Sequence, residues 1–553
     1  MAVPTRRDIE TALLAPGSYF ELVEESVGGQ LMPVFKNRAR SLRQHVEASV
    51  GFGEREYVVF GERRLTFEQH AREVAALAKA LRVEYGVGPG DRVGILAANC
   101  AEWVLTFWAT VSLGAIAVGL NGWWVGDEIR FGVADAEPKV VMGDRKRLDR
   151  VDHRLDVPII VAEDDVAALI AAHGDAALPD QPIDEDDPAV ILYTSGTTGR
   201  PKGAINTHRN INALLGLSFF HGLRRLQLSP PPPDAAPTCQ YMTSPLFHVS
   251  GLHNGAVAFL AGGVKSVWHM GRFDPGVAMA TMEAEKVTGW SITSAVAWRL
   301  VRHPDAGKYD LSSVTQVGGG GSPIPGDLQA RLRDVFPNAA DSIGVGYGMT
   351  ECSALATLAF GDELIAHPDT VGSPLPTVQL EIRDQHGKVL GENAEGEVFV
   401  RGPMVMPGYW RRPEETAAVL SADGWLRTGD LGAMVDGRLY LSARRSDLIL
   451  RGGENVYPAE IERRLDEHPD VVESVVYGVE HPELGHDVAA VVVLRDSAET
   501  DEAALARGVG EALAYFKVPA QWRVQREPLP RTATGKVQRH VAASGERNTF
   551  QED

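Results

Sequence analysis

From residue 64 onward the apolar positions change period again and again, alternating strand-like runs with helix-like stretches. The segment LTFEQHAREVAALAKAL (65–81) has the spacing of an amphipathic helix that begins near Thr66, and Gly90-Asp91 then turns the chain into a strand over 92–96. Short apolar runs at 140–142, 159–161 and 190–193 recur between helix-like segments. That is the pattern of sheets covered on both faces, and it predicts a layered α/β fold. Residues 103–120, WVLTFWATVSLGAIAVGL, are uncharged and about long enough to cross a bilayer. Gly114 divides them into a helix-like half (102–113) and a β-like half (115–118), basic flanks are absent, and Asn121 closes the run. A buried helix feeding a buried strand is therefore expected. After about residue 443 the pattern becomes that of a small α+β unit: strand 448–450, helix 458–465, strands 475–479 and 488–494, helix 502–515 and a strand near Val524. The tail 544–553 has little to bury.

At 553 residues the chain is several ordinary domains long, so a lone binding module is a poor reading. The net charge of −20 opposes general attraction to phosphate backbones or anionic lipid surfaces, and no nucleic-acid partner is expected. Three scattered cysteines, Cys100, Cys239 and Cys352, make neither a disulfide framework nor a CxxC metal site, and they fit a reducing cytoplasm. The N-terminus reaches Asp8 and Glu10 before any apolar core and does not read as a secretory signal. The proline-rich segment SPPPPDAAP (229–237), preceded by Leu223-Arg224-Arg225-Leu226, leaves peripheral membrane contact open, although a solvated loop is the simpler reading.

Chemistry concentrates first at 189–203. The apolar strand Ala189-Val190-Ile191-Leu192-Tyr193 opens into Thr194-Ser195-Gly196-Thr197-Thr198-Gly199-Arg200-Pro201-Lys202-Gly203. Glycines let backbone N–H groups close on phosphate oxygens, hydroxyls add donors, and Lys202 adds a point charge. It is not a Walker A loop, because that motif needs Gly-Lys-Ser/Thr to begin five residues after its first glycine and Pro201 stands five after Gly196.

The loop YTSGTTGRPKG resembles the signature loop of the adenylate-forming superfamily, which comprises acyl-CoA synthetases, luciferases and peptide-synthetase adenylation domains. The rest of the motif set follows in order: PLFHVSG (245–251), GGGGSP (318–323), YGMTE (347–351), GEVFVRGPMVMPGYW (396–410), GWLRTGD (424–430), ARRSDLILRGGENVYPAEIE (443–462) and PRTATGK (530–536). The resemblance covers nearly the whole chain, and agreement across so many levels is its strength.

The resemblance implies a large N-terminal AMP-binding and acyl-binding domain (1–443), a hinge (444–447) and a small C-terminal lid domain (448–553). It implies that ATP activates a carboxylic acid to an acyl-adenylate with pyrophosphate release, and that coenzyme A then takes the acyl group. The acid would be apolar, a fatty acid first. An acyl-AMP ligase that loads a carrier-protein pantetheine is the alternative. ATP, Mg²⁺ and coenzyme A are the implied co-substrates, and the oligomeric state stays open, with a homodimer among the alternatives. By the same resemblance, Glu351 is the Mg²⁺ carboxylate, helped by Thr194 or Thr198, and Thr350 contacts the α-phosphate. Ser195, Gly196, Thr197 and Gly199 complete the phosphate loop. Asp430 holds the ribose hydroxyls, with Arg444 nearby. Gly320, Gly321, Ser322 and Pro323 form the adenine turn, joined by Tyr347 and Gly348. His248 gates an acyl pocket walled by Trp290, Val296 and Gly346. Lys536 stabilises charge as the adenylate forms, and Gly452-Gly453 replaces it in a second orientation and lines the pantetheine tunnel.

Two departures from the family pattern stand out. The hinge reads Ala443-Arg444-Arg445-Ser446-Asp447, with Ala for the usual Gly and Ser446 at the pivot, and the adenine turn reads Gly-Gly-Gly-Ser-Pro.

Overall fold

A computed structural model of the chain describes residues 5–194, 201–233, 235–321, 324–444, 447–451, 454–482, 484–532 and 537–545. The helix expected from 65 runs over Phe67–Glu84. Thr66 caps it reciprocally: its hydroxyl accepts from the Gln69 N–H at 3.1 Å, and the Gln69 side chain accepts from the Thr66 N–H at 3.0 Å. The uncharged stretch 103–120 is the buried helix Ala101–Ser112 followed by the buried strand Ile116–Gly119, with Gly114 at φ +66° making the turn. Among the described residues no helix is long and apolar enough to cross a membrane.

The chain divides into two compact units, residues 1–380 with 400–426, and residues 381–399 with 427–553. The first unit carries two large sheets, and the layered α/β fold expected from the sequence is the one found. In the six-stranded sheet the order is Lys202–Thr207, Pro188–Thr194, Ile116–Gly119, Arg92–Leu96, Val140–Gly143, Ile159–Val161. Only the first two of these run antiparallel. The nine-stranded sheet has a parallel centre, Ile343–Tyr347, Gln316–Gly320, Gly289–Ile292, Cys239–Met242, Lys265–Trp268 and Glu56–Phe60, with antiparallel strands at both edges. In open sheets of this kind, ligands bind beyond the carboxyl ends of the parallel strands.

An ion network secures the base of the hairpin formed by Pro188–Thr194 and Lys202–Thr207. Arg209, in the first turn of helix His208–Leu228, pairs with Glu185 and Asp186 just before the hairpin. Arg38 joins Glu185 to Glu25 on the N-terminal strand Leu22–Val27. Arg38 and Arg209 are almost fully buried, so the three carboxylates supply charge that solvent does not. The same long helix turns Arg224 inward, where it is 1% exposed and pairs with Glu10 of the first helix, Arg6–Leu14. Leu223, Leu226 and Leu228 stay exposed. The edge that the sequence left open for membrane contact thus loses one of its two cations to the interior.

The second unit holds a four-stranded sheet, Gln379–Arg383, Gly396–Arg401, Leu426–Val435 and Arg438–Arg444, whose first strands reach back into the first unit's span. Its other sheet has Val471–His481 and Gly485–Leu494 as a long hairpin, with Ile449–Arg451, Glu454–Val456 and Gln521–Gln525 alongside, covered by helices Pro458–Asp466 and Glu502–Ala512. The compact division falls elsewhere than the change in composition near 443. Residues 427–443 belong with the later unit because Leu426–Val435 and Arg438–Arg444 form one hairpin, and the Tyr457 hydroxyl donates to Glu395 across it.

Glu25 offers a test of the ion network. Hydrogen bonds from Arg38 first, and from Arg40, draw its carboxyl from an ordinary 4.5 down to about 2, so the stabilisation it brings is complete above about pH 4.5 and fades as pH falls toward 2. The difference in urea midpoint between the wild type and Glu25→Gln should be present at pH 7 and should close between pH 4.5 and 2. A difference independent of pH would remove the charge from the account.

Candidate active site

The motif residues of the first unit leave the nine-stranded sheet where its parallel strands end. The loop carrying His248 follows Cys239–Met242, Val296 lies in helix Ser294–Val301 just after Gly289–Ile292, Gly320 closes its strand with Gly321 next, and Tyr347 leads through Gly348 to Thr350 and Glu351. Asn99, in the loop beyond Arg92–Leu96 of the other sheet, joins this edge: its side chain accepts from Leu246 N–H at 2.8 Å and donates to the Ser244 carbonyl at 3.1 Å.

Glu351 sits in a single 3-10 turn, Thr350–Cys352. The turn exits through Ser353 at φ +57° and Ala354 at φ +107°, left-handed conformations that neither residue favours. Neighbours hold it there. The Asn206 amide donates to the Thr350 carbonyl at 3.2 Å and the Ser353 hydroxyl at 3.3 Å, Ser353 donates to the Met404 carbonyl at 3.0 Å, and Met406 N–H donates to the Glu351 carbonyl at 2.8 Å. The Glu351 side chain, 7% exposed with the residue as a whole, accepts a 2.7 Å hydrogen bond from the Tyr409 hydroxyl. Burial, and then the Glu351 charge, raise the Tyr409 phenol above its ordinary value, so it is the donor. Among the described residues no cation pairs with Glu351. A buried carboxylate with a neutral partner suits a hard divalent cation that takes its other oxygens from phosphates, and a single carboxylate is the usual protein share for Mg²⁺. The described residues contain no cluster of three or more His, Cys, Asp or Glu for an all-protein metal cage.

Thr194 and Lys202 face each other in register at the two ends of the phosphate-loop segment, and the Thr194 hydroxyl lies 3.4 Å from the Lys202 carbonyl. The segment 408–410 runs beside the second strand, with Ile205 N–H donating to Gly408 at 3.1 Å and Trp410 N–H to Gly203 at 2.7 Å. It lays the Tyr409 ring under the Lys202 ammonium, 5.4 Å from the centroid. The hairpin is pinned again from behind, where Asp135 accepts from the Tyr193 hydroxyl at 2.9 Å and pairs with Arg412. Tyr409, Asn206 and Asp135 are the residues that sequence reasoning missed. The motif containing Tyr409 was visible as GPMVMPGYW, but nothing local shows that its tyrosine meets a carboxylate 58 positions earlier.

The glycines at 320, 346 and 348 answer first to packing. A Cβ on Gly320 would stand 2.3 Å from the Gly346 carbonyl oxygen, one on Gly346 2.7 Å from Leu355, and one on Gly348 2.1 Å from the Ala354 carbonyl. Gly321, at φ +75°, meets nothing within 4 Å. Trp290 is 1% exposed, with its ring 5.7 Å from Phe336 inside the helix-covered core of the large sheet, and Val296 packs half-buried against the same core. The structure thus gives Trp290 to the core. His248 is half-buried, its ring 4.7 Å from Phe247, and it precedes the turn Val249–Gly251 and the π-helical stretch Leu252–Val257. Such π-turns concentrate at functional sites.

In the second unit Asp430 and Arg444 are direct partners across the Leu426–Val435 hairpin, and the Asp430 N–H donates to the Thr428 hydroxyl at 3.1 Å. Ser195, Gly196, Thr197, Thr198, Gly199, Ser322, Pro323, Ser446, Gly452, Gly453 and Lys536 lie outside the described residues.

The sequence profile of the AMP-binding enzyme family matches residues 46–410, and that of the AMP-binding enzyme C-terminal domain matches residues 460–536. An indoleacetate–CoA ligase of Aromatoleum aromaticum is 33% identical over 89% of this chain and 96% of its own. A long-chain-fatty-acid–CoA ligase of Bacillus subtilis is 30% identical over 89% and 92%. The solved structure of o-succinylbenzoate CoA synthetase from Bacillus subtilis, in complex with its acyl-adenylate intermediate, superposes with a TM-score of 0.77 at 29% identity and covers 91% of this chain and 98% of its own.

The glycine packing makes a stability prediction. Gly320→Ala should lower the stability of the first unit by about 1–3 kcal/mol through overpacking against backbone, whereas Gly321→Ala should cost only its left-handed backbone, about 1–2 kcal/mol. Urea midpoints of the two variants measure the difference. A Gly320→Ala protein as stable as the wild type would mean that the strands do not approach this closely.

Proposed function

The chain belongs to the AMP-binding enzyme family, and from that premise we propose that it activates an apolar carboxylic acid with ATP and passes the acyl group to coenzyme A. It is an acid–thiol ligase of the kind that works through an acyl-adenylate. The observation that carries the residue assignment is the buried Glu351 carboxylate, with which no cation pairs among the described residues, beside a hairpin that presents Thr194 and Lys202.

A carboxylate is a poor electrophile, so the acid must first gain a leaving group. Its oxygen attacks the α-phosphorus of ATP and forms a P–O bond while the bond to pyrophosphate breaks. The coenzyme A thiolate then attacks the acyl carbon, and AMP leaves with its electron pair. Both steps build negative charge on oxygen, so positioned donors and cations supply the catalysis. In this reading Lys202 and the loop 195–199 hold the phosphates, and Thr350 meets the α-phosphate. The metal, when bound, would neutralise phosphate charge, with Glu351 and Thr194 as its protein oxygens. Asp430 and Arg444 would hold the ribose, and Gly320, Gly321, Tyr347 and Gly348 would border the adenine. His248, Val296 and Gly346 would face the acyl group. Lys536 would serve the first half-reaction and Gly452-Gly453 the second, with Ser446 as the pivot between them. The matched relatives are named for an aryl-acetic and a long-chain fatty acid, so the proposal extends to both kinds of apolar acid.

The test is pyrophosphate release from ATP with a panel of aromatic and aliphatic acids, with and without coenzyme A. Acid-dependent release, with acyl-CoA appearing only when coenzyme A is added, is expected. Acyl-AMP that coenzyme A never consumes would favour a carrier-protein acceptor instead. Lys536→Ala should slow adenylation by roughly 10²–10³ while sparing thioester formation from supplied acyl-AMP, the scale for losing one preorganised charge stabiliser. Equal loss in both half-reactions would end that role. Glu351→Gln should raise the Mg²⁺ concentration needed for half-maximal adenylation, and an unchanged requirement would remove it from the metal.

A further inference from the structure

Lys202 and Glu351 carry opposite charges on flexible stems and flank the same side chain. Two such groups, half-buried and buried respectively, attract each other strongly, and a direct ion pair would consume both. Among the described residues no such pair is formed. Tyr409 meets both. Its hydroxyl donates to Glu351 at 2.7 Å, and its ring receives the Lys202 ammonium at 5.4 Å from the centroid. The backbone that carries the spacer is held in place. Its own N–H donates to the Thr416 hydroxyl at 2.9 Å, it forms a bridge with Ala204, and its neighbours Gly408 and Trp410 are hydrogen-bonded to the Lys202–Thr207 strand.

We propose that Tyr409 is a positioning residue that keeps the Lys202 ammonium and the Glu351 carboxylate apart, leaving the first for phosphate and the second for a metal. The proposal rests on the nucleotide reading of those two residues. A ring face suits the task because it holds a cation in place far more weakly than a carboxylate does, so the ammonium stays oriented and still leaves for a phosphate oxygen. The phenol fixes one carboxylate oxygen of Glu351 through a neutral hydrogen bond and adds no charge that would compete with a cation. Phenylalanine at 409 would keep the spacer and lose only the hydrogen bond, whereas leucine would lose both.

Two measurements on the full chain test this. In a ligand-free crystal structure of Tyr409→Leu, Lys202 should lie within ion-pair distance of Glu351. In EDTA, calorimetry should show metal-free ATP binding to Tyr409→Leu about 10-fold or more weaker than to the wild type, the scale of one lost charged phosphate contact, with Tyr409→Phe within about 3-fold of the wild type. Adding Glu351→Gln to Tyr409→Leu should restore ATP binding to within about 3-fold of Glu351→Gln alone, because the competing carboxylate is gone. A general packing defect would not be rescued in that way. ATP binding by Tyr409→Leu equal to the wild type, or no recovery in the double variant, would overturn the proposal. A wild-type chain that fails to bind ATP overturns the nucleotide reading, and the crystal structure then decides the spacer by itself.

Discussion

The first unit is organised around one costly feature, a carboxylate withdrawn from water whose side-chain partner among the described residues is a phenol. Taking the Glu351 carboxylate out of solvent opposes folding, and no cation among the described residues repays it in charge. The surrounding structure therefore has to hold the turn by other means. Asn206, Ser353 and Met406 together lock a backbone that passes through two left-handed non-glycine residues. Strain of that kind survives only where neighbours over-determine it. A ligand that brings positive charge and phosphate oxygens would supply what the fold leaves out.

The strands that deliver the site can crowd together because glycine lines them. Gln316–Gly320 and Ile343–Tyr347 pair so closely that Gly320 and Gly346 leave no room for a Cβ between them. Side chains there would force the strands apart and move both the Gly321 turn and the Thr350–Cys352 turn. Packing thus demands glycine at 320 and 346 whatever else those positions do. The second sheet contributes its hairpin to the same region because Asp135, Arg209 and the 408–410 segment fix it at the back, the base and the outer edge.

Each unit has its own logic. In the second, a tight hairpin makes Asp430 and Arg444 backbone partners although they lie 14 apart in sequence. The same hairpin explains why the compact unit begins before the change in composition. Composition reports what a segment buries, whereas compactness follows which strands it pairs with.

The sequence by itself determined the class of fold, the helix beginning at Thr66, the buried helix and strand within 103–120, the elements of the C-terminal unit and the order of the motifs. These are legible because periodicity, caps and glycine turns act over a few residues, and a loop such as YTSGTTGRPKG carries its chemistry in its own composition. Tertiary structure alone decided that Trp290 belongs to the core beside Phe336, that Arg224 turns inward to Glu10, and that Tyr409 meets both Lys202 and Glu351. Each of those outcomes depends on a partner distant in sequence. A side chain's local pattern says whether it will be buried, but the identity of what it meets is set by how strands and helices pair across the chain, and hydrophobic periodicity carries no record of that pairing.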